Sequence, residues 1–180
     1  MAASTPDDTA TPAPRVALVM GVAASGKTTV GRALAAALRW GFADADDFHP
    51  PANVDKMRRG EPLDDDDRGP WLDALRTRIV EALDRPASPG LVVTSSALRR
   101  RYRRRLIRPG EPVALVYLRL DRATMADRLA RRSGHFFPAR LMDSQLDALE
   151  EPGEAESPIT LDAARPTEEL VDTARRAMGI

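Results

Sequence analysis

Apolar residues along this chain follow two rhythms. Short uninterrupted runs, RVALVM (residues 15–20), GLVVTSS (90–96) and PVALVYLRL (112–120), have the length and β-branched content of strands buried on both faces. FADA (42–45) and PITLDA (158–163) are weaker runs of the same kind. Between them the apolar positions recur at helical spacing. Val30, Leu34, Ala37 and Leu38 predict a helix ending near Trp40 and Gly41, and Trp71, Leu72, Leu75, Ile79, Val80 and Leu83 form one stripe. Residues 50–84 read as helical pieces broken by RRGEPLDDDDRGP. Further helices are predicted at ALRRRYRRRLI (97–107), at DRATMADRLARRS (121–133) with Asp121 as its cap, and at PTEELVDTARRAM (166–178). Strands that alternate with helices need crossover connections, so the pattern predicts one α/β domain doubly wound around a five-stranded parallel sheet.

The first fourteen residues, MAASTPDDTATPAP, join neither rhythm. They have no basic start and no apolar stretch of the kind a leader carries, so a disordered tail is expected at 1–14 and a single domain at 15–180. No run approaches the roughly eighteen apolar residues of a membrane span, so no membrane partner is expected. The 27 Lys and Arg balance the 27 Asp and Glu, and the chain as a whole offers no field for nucleic acid or an anionic surface. The absence of cysteine excludes disulfides, thiolate metal sites and a cysteine nucleophile, and fits a reducing cytoplasm.

Chemistry enters at MGVAASGKTT. Gly21, Gly26, Lys27 and Thr28 match G-x-x-x-x-G-K-[ST] between a predicted strand and a predicted helix, the context in which that pattern makes a phosphate cradle. Main-chain N–H groups of Gly21, Val22, Ala23, Ala24, Ser25, Gly26, Lys27, Thr28 and Thr29 can turn inward toward phosphate oxygens at a helix N-terminus. Lys27 adds a full charge, and the Thr28 hydroxyl is expected to hold Mg2+. Ala24 stands where a more flexible loop would carry glycine, and is expected in a helical or bridge conformation. A nucleoside triphosphate, ATP, is the expected ligand.

The acceptor of the phosphate is sought at the carboxyl end of the second strand, where open α/β sheets bind ligands. Asp44 and Asp46, two apart on what reads as an extended segment, share one face there. A carboxylate so placed can orient a hydroxyl, take its proton or hold Mg2+ through water. His49 can bond a substrate or close its own loop. The run 64–67 reads as the acidic start of a helix.

MGVAASGKTT, HPPANVDKMRRGEPLDDDDRGPWL, SSALRRRYR and RLARRSGHFFPARLMDSQLDALEEP together resemble the gluconokinase family over about residues 16–176. The resemblance implies a three-layer fold like those of shikimate kinase and nucleoside monophosphate kinases, with a helical lid at about 128–142 and usually a homodimer. It implies transfer of the ATP γ-phosphoryl group to the 6-hydroxyl of D-gluconate, giving 6-phospho-D-gluconate for carbohydrate acid catabolism. By similarity, Asp46 orients the acceptor hydroxyl and Asp44 stands where the family carries another acid. A carboxylate-bearing substrate calls for an arginine fork; Arg58 or Arg59 and Arg68 offer one beside Asp46 and His49, and the sequence does not choose among them.

RRRYRRRLIR carries seven arginines between 99 and 108 and would also suit a phosphate backbone. Its place after a strand and its likeness to the family pattern favour the kinase reading, with no nucleic acid as partner. By similarity Ser96, Arg99, Tyr102 and Arg103 face the substrate, although relatives often have lysine at the Arg99 position. Arg100, Arg101, Arg104 and Arg105 are expected as solvated or dimer-facing charges. In RLARRSGHFFP, Arg128 and Arg132 lie four apart on one helical face before Gly134, a suitable hinge. Arg132 is expected to meet the charge of the moving phosphoryl group, and His135, Phe136 and Phe137 to pack the closed lid or touch substrate. Arg128 and the loop at 162–166, ending in Pro166, are expected to flank adenine.

Overall fold

The structure is a computed structural model that describes residues 13–85, 87–131 and 139–180, the side chains of 139–141 excepted. Its strands are β1 (Val16–Met20), β2 (Gly41–Asp44), β3 (Leu91–Ser95), β4 (Val113–Arg119) and β5 (Ile159–Asp162). All pair in parallel, in the order β2-β3-β1-β4-β5. The apolar run of β1 is therefore central, and every residue from Val16 to Met20 is fully buried. Met20 lies opposite Ser95 on one side and Tyr117 on the other, so neighbouring strands deliver their carboxyl ends to one edge. The order reverses at β1, which opens a crevice at that edge.

The helices are α1 (Lys27–Leu38), α2 (Pro51–Arg58), α3 (Asp65–Leu83), α4 (Arg100–Leu106), α5 (Arg122–Arg131), α6 (Ala139–Ala148) and α7 (Thr167–Met178). The 3.6-residue stripe explains their packing. Leu34 of α1 is fully buried in a layer that includes α7, and Leu75 and Ile79 of α3 are fully buried in a layer shared with α4. Each such side chain contributes about 1.5–3 kcal/mol by leaving water. Among the described residues no helix is long and apolar enough to cross a membrane.

Three local features depart from the sequence expectation. First, α3 starts at Asp65, as the acidic run 64–67 anticipates, but it runs on through Gly69 and Pro70, which the sequence pattern placed in a break. The Asp64 carboxylate accepts from Asp67 N at 2.8 Å while Asp67 returns the bond to Asp64 N at 3.0 Å, a capping box that outweighs the missing proline N–H near the helix start. Second, the chain after Asp44 is not extended. A 3-10 turn, Ala45–Phe48, begins there, with the Asp44 side chain as its cap. Third, α6 and a 3-10 turn at Glu154–Glu156 occupy a stretch for which the periodicity suggested no separate element. Met142 and Leu146, four apart, pack that helix on the core. Asp121 caps as expected, accepting from Thr124 N at 2.9 Å.

Candidate active site

The phosphate cradle forms because β1 ends against a loop that side chains would crowd. A Cβ on Gly21 would come within 2.7 Å of Ser25 Oγ and 2.8 Å of the Leu118 carbonyl. Gly26, at φ 89, sits in the left-handed region just before α1, and no side chain caps that helix, so its first N–H groups remain for an anion. Ala24 corrects the expectation: it lies at φ 61, left-handed, where a Cβ costs about 1–2 kcal/mol. Lys27 Nζ donates to the Val22 carbonyl at 2.9 Å, folding the ammonium over its own loop. Ser25 Oγ is buried without a hydrogen-bond partner among the described residues, and Thr29 is exposed at the start of α1.

Two more distant side chains hold the outer turn of this loop. Gln145 of α6 accepts from Ala23 N at 2.7 Å. Arg128 of α5 donates from Nη1 to the Ala24 carbonyl at 3.2 Å and from Nη2 to the Ala163 carbonyl at 2.6 Å. Arg128 thus spans the cradle and the loop that leads to Pro166, the residue before α7.

The acceptor edge joins the cradle through Thr28, whose Oγ1 donates to Asp44 Oδ2 at 3.0 Å. Asp44 Oδ1 in turn accepts from Asp46 N at 3.3 Å. The two aspartates therefore meet through a turn and its cap, and not through strand alternation. Burial raises the Asp46 carboxyl above the ordinary aspartate value, with the Asp44 charge as the next cause, while His49 and Lys27 oppose the rise. The residue still keeps an open side. Hydroxyl and carboxylate oxygens from Thr28, Asp44 and Asp46 are the hard donors that suit Mg2+ bound together with phosphate oxygens. Among the described residues no cluster of three or more His, Asp or Glu forms a metal cage by itself.

His49 stacks on Trp71 with ring centroids 4.5 Å apart and planes 8° from parallel, and Trp71 Nε1 donates to the Ala45 carbonyl at 2.6 Å. One indole thereby fixes both the turn that carries Asp46 and the imidazole beside it. Burial lowers the His49 value, Asp46 pulls it up, and Arg68 adds to the fall, so the ring is held neutral near pH 7. Asn53, buried, donates to the Asp67 carbonyl at 2.8 Å and lies 3.5 Å from His49 Nδ1. Lys56 pairs with Asp67 at 2.7 Å, pinning α2 to the start of α3.

The arginines sort by their partners. Arg58 is turned outward, 77% exposed, and pairs with Asp55 of its own helix. Arg59 binds Glu61 through Nε at 2.7 Å and Nη2 at 3.0 Å. Arg103, expected on the substrate side, is 1% exposed and lies inside the fold. Its guanidinium binds Glu156 at 2.6 and 2.9 Å and the carbonyls of Ala97 and Leu98 at 3.1 and 3.0 Å. It is a strut for the β3–α4 loop. Arg100, Arg101 and Arg105, expected as solvated or dimer-facing, pair within the chain with Glu156, Asp65 and Asp73. Much of the positive charge of that run is thus matched locally. Arg68 differs: it lies 5.8 Å over the Tyr102 ring. Tyr102 OH donates to Asp65 at 2.6 Å, and Arg68, Arg99 and Arg101 all help to hold the Asp65 carboxyl below its ordinary value, after that hydrogen bond. Arg68 therefore lies beside Tyr102 and Asp65, at the end of β3 and the start of α4. Ser96 is half-buried just past β3.

Arg132 and His135, with Gly134, Phe136, Phe137 and the rest of 132–138 in the expected lid, lie outside the described residues. So do residues 1–12 of the expected tail. Sequence reasoning missed Gln145, Glu150 and Glu156. Glu150 N donates to the Leu98 carbonyl at 2.9 Å and its carboxylate accepts from Arg100 N at 2.6 Å. Tyr117 OH donates to Glu151 at 3.1 Å. The chain from 145 to 156 is thus a strap across the carboxyl edge of the sheet. Its run of acids after an amphipathic repeat was the available signal.

A parallel sheet whose switch point carries a lysine-bearing phosphate cradle, joined by a threonine hydroxyl to a pair of aspartates at the same edge, defines a P-loop kinase. A family model described as an AAA domain matches residues 16–152. The chain is 47% identical over 146 residues to a gluconokinase of Gluconobacter oxydans (strain 621H), covering 81% of each protein. It is 40% identical over 156 residues to the thermoresistant gluconokinase of Escherichia coli (strain K12), covering 86% of this chain and 87% of that one. The crystal structure of a gluconokinase from Sinorhizobium meliloti 1021 superposes with a TM-score of 0.81 at 40% identity, over 93% of each chain. The chain belongs to the gluconokinase family.

Proposed function

We propose that this chain transfers the γ-phosphoryl group of ATP to the 6-hydroxyl of D-gluconate, releasing ADP and 6-phospho-D-gluconate. The observation that carries the reading is the continuous link from Thr28, at the mouth of the cradle, through Asp44 to Asp46, 3.0 and 3.3 Å per step. It ties the turn that carries Asp46, through that residue's main-chain N–H, to the phosphate site, and so supports reading its carboxylate as the group that orients the acceptor.

Main-chain amides of residues 21–29 and Lys27 hold the triphosphate, and Arg128 with the loop before Pro166 forms the wall for adenine. Thr28 and Asp46, with Asp44 beside them, would hold Mg2+, which would supply neutralisation of charge on the phosphate oxygens. Asp46 accepts a hydrogen bond from the 6-hydroxyl; as that oxygen bonds to phosphorus and the bond to the ADP oxygen breaks, the hydroxyl proton passes to the Asp46 carboxylate. A raised Asp46 value fits this task. His49, neutral and fixed by Trp71, meets a substrate hydroxyl. Arg68 forks the gluconate carboxylate, since Arg58, Arg59 and Arg103 are turned away or already paired, and Arg99 joins it by family resemblance. Ser96 lines the same edge. By family resemblance, Arg132 meets the charge of the moving phosphoryl group and His135 touches substrate. Family resemblance supports a cytoplasmic homodimer whose product enters the pentose phosphate pathway.

The test is a crystal structure with gluconate and a non-hydrolysable ATP analogue. The 6-hydroxyl within hydrogen-bond reach of Asp46 and the carboxylate on Arg68 are expected; gluconate bound at another surface would overturn the assignment.

A further inference from the structure

The P-loop of this chain carries a backbone strain that its own motif does not relieve. Ala24 occupies the left-handed region at φ 61, where glycine sits without penalty and a Cβ does not. The turn is gripped from outside the loop at two peptides, Val22–Ala23 before Ala24 and Ala24–Ser25 after it. Ala23 N donates to Gln145 Oε1 at 2.7 Å, and the Ala24 carbonyl accepts from Arg128 Nη1 at 3.2 Å. Ala24 itself is only 8% exposed, so the turn has little room to relax.

The grip is itself anchored. Leu146 and Leu149, on either side of the turn following Gln145, pack on the core, and Glu150 and Glu151 tie the next residues to the β3–α4 loop and to Tyr117. Arg128 is braced at its other end by the Ala163 carbonyl, 2.6 Å away. Both side chains therefore act on the cradle from elements that are held independently of it.

We infer that Gln145 is a positioning residue for nucleotide binding: with Arg128 it clamps the Ala23–Ala24 turn and keeps the strained alanine in the conformation that aims the following amides at phosphate. The inference rests on reading the loop as a nucleotide cradle, and not on gluconate being the acceptor. It has a specific consequence. A clamp that opposes the left-handed penalty matters when residue 24 has a Cβ and matters little when it does not.

The experiment is a double-mutant cycle on the full chain, with Gln145→Leu and Ala24→Gly, read as the dissociation constant of a non-hydrolysable ATP analogue by calorimetry. In the otherwise unmutated chain, Gln145→Leu should weaken binding on the order of tenfold, the scale of one lost hydrogen bond that restrains the loop. Added to Ala24→Gly, the same substitution should cost about twofold or less. Gln145→Met, which keeps the length without an oxygen acceptor, serves in place of leucine if that variant does not fold. An equal or larger loss in the Ala24→Gly background, or no loss in either, overturns the inference. Failure of the unmutated chain to bind the analogue would instead overturn the cradle itself, so the two failures are told apart. A purely structural role for Gln145 would lower thermal stability in both backgrounds without the dependence on residue 24.

Discussion

The two halves of the site are built in opposite ways. In the nucleotide half, three groups of the loop have protein partners, Lys27 on the Val22 carbonyl, Ala23 N on Gln145 and the Ala24 carbonyl on Arg128, while the first N–H groups of α1 remain for an anion. In the acceptor half, Asp46 keeps an open side and Arg68 rests over an aromatic ring with no ion pair among the described residues. Preorganisation is thus concentrated where the ligand demands it. A loop must hold several amides in one curve to bind phosphate, so it is braced from α5 and α6. Under the proposed function a polyol acid would pair with Asp46 and Arg68, and these are backed from behind, the Asp46 turn by Trp71 and Arg68 by the Tyr102 ring.

Substitutions on each side separate the two halves. Asp46→Asn should lower kcat about 10³-fold, the middle of the range for lost acid–base assistance, while binding of an ATP analogue is retained. A steady-state assay of ADP release with parallel calorimetry checks both. Lys27→Ala should reduce kcat/KM about 10²-fold through loss of a preorganised cation, with circular dichroism unchanged.

The arginines divide in the same way. Arg103→Met should lower stability by about 3 kcal/mol in urea unfolding, because it leaves the half-buried Glu156 carboxylate with Arg100 alone at 3.4 Å and removes the donor to the buried carbonyls of Ala97 and Leu98. Arg68→Ala should leave that unfolding curve in place and raise KM for gluconate on the order of tenfold. The reverse pattern would exchange their roles.

The smallest effect concerns pH. A carboxyl whose value is raised in the folded state binds its proton more readily there than in the unfolded chain. Stability therefore falls as pH rises from the ordinary aspartate value through the raised one, and the charged form opposes folding at neutral pH. Asp46→Asn should then melt slightly above the wild type at pH 7, with the gap closing as pH drops below the aspartate range. Thermal melts across that window decide it.

The sheet, its strand residues and the cradle were legible in the sequence because a buried parallel strand and a G-x-x-x-x-G-K-[ST] turn each have a local signature. Three things were not. The meeting of Asp44 with Asp46 depends on a capping hydrogen bond that ends a strand one residue early, which periodicity does not record. The burial of Arg103 depends on Glu156, more than fifty residues later, and a run of arginines reads alike whether its members are solvated or paired. The Gln145 contact depends on how α6 returns to β1, a tertiary fact with no sequence period.

If this cradle and this aspartate phosphorylate one hydroxyl of gluconate, acceptor choice and the site of phosphorylation are both fixed. They are read together by ADP release measured with ATP across a panel of sugar acids and shikimate, with the product identified by phosphorus and carbon NMR. The highest kcat/KM is expected with D-gluconate, and phosphate on its 6-oxygen. A better acceptor elsewhere in the panel, or phosphate on another oxygen, would contradict the assignment.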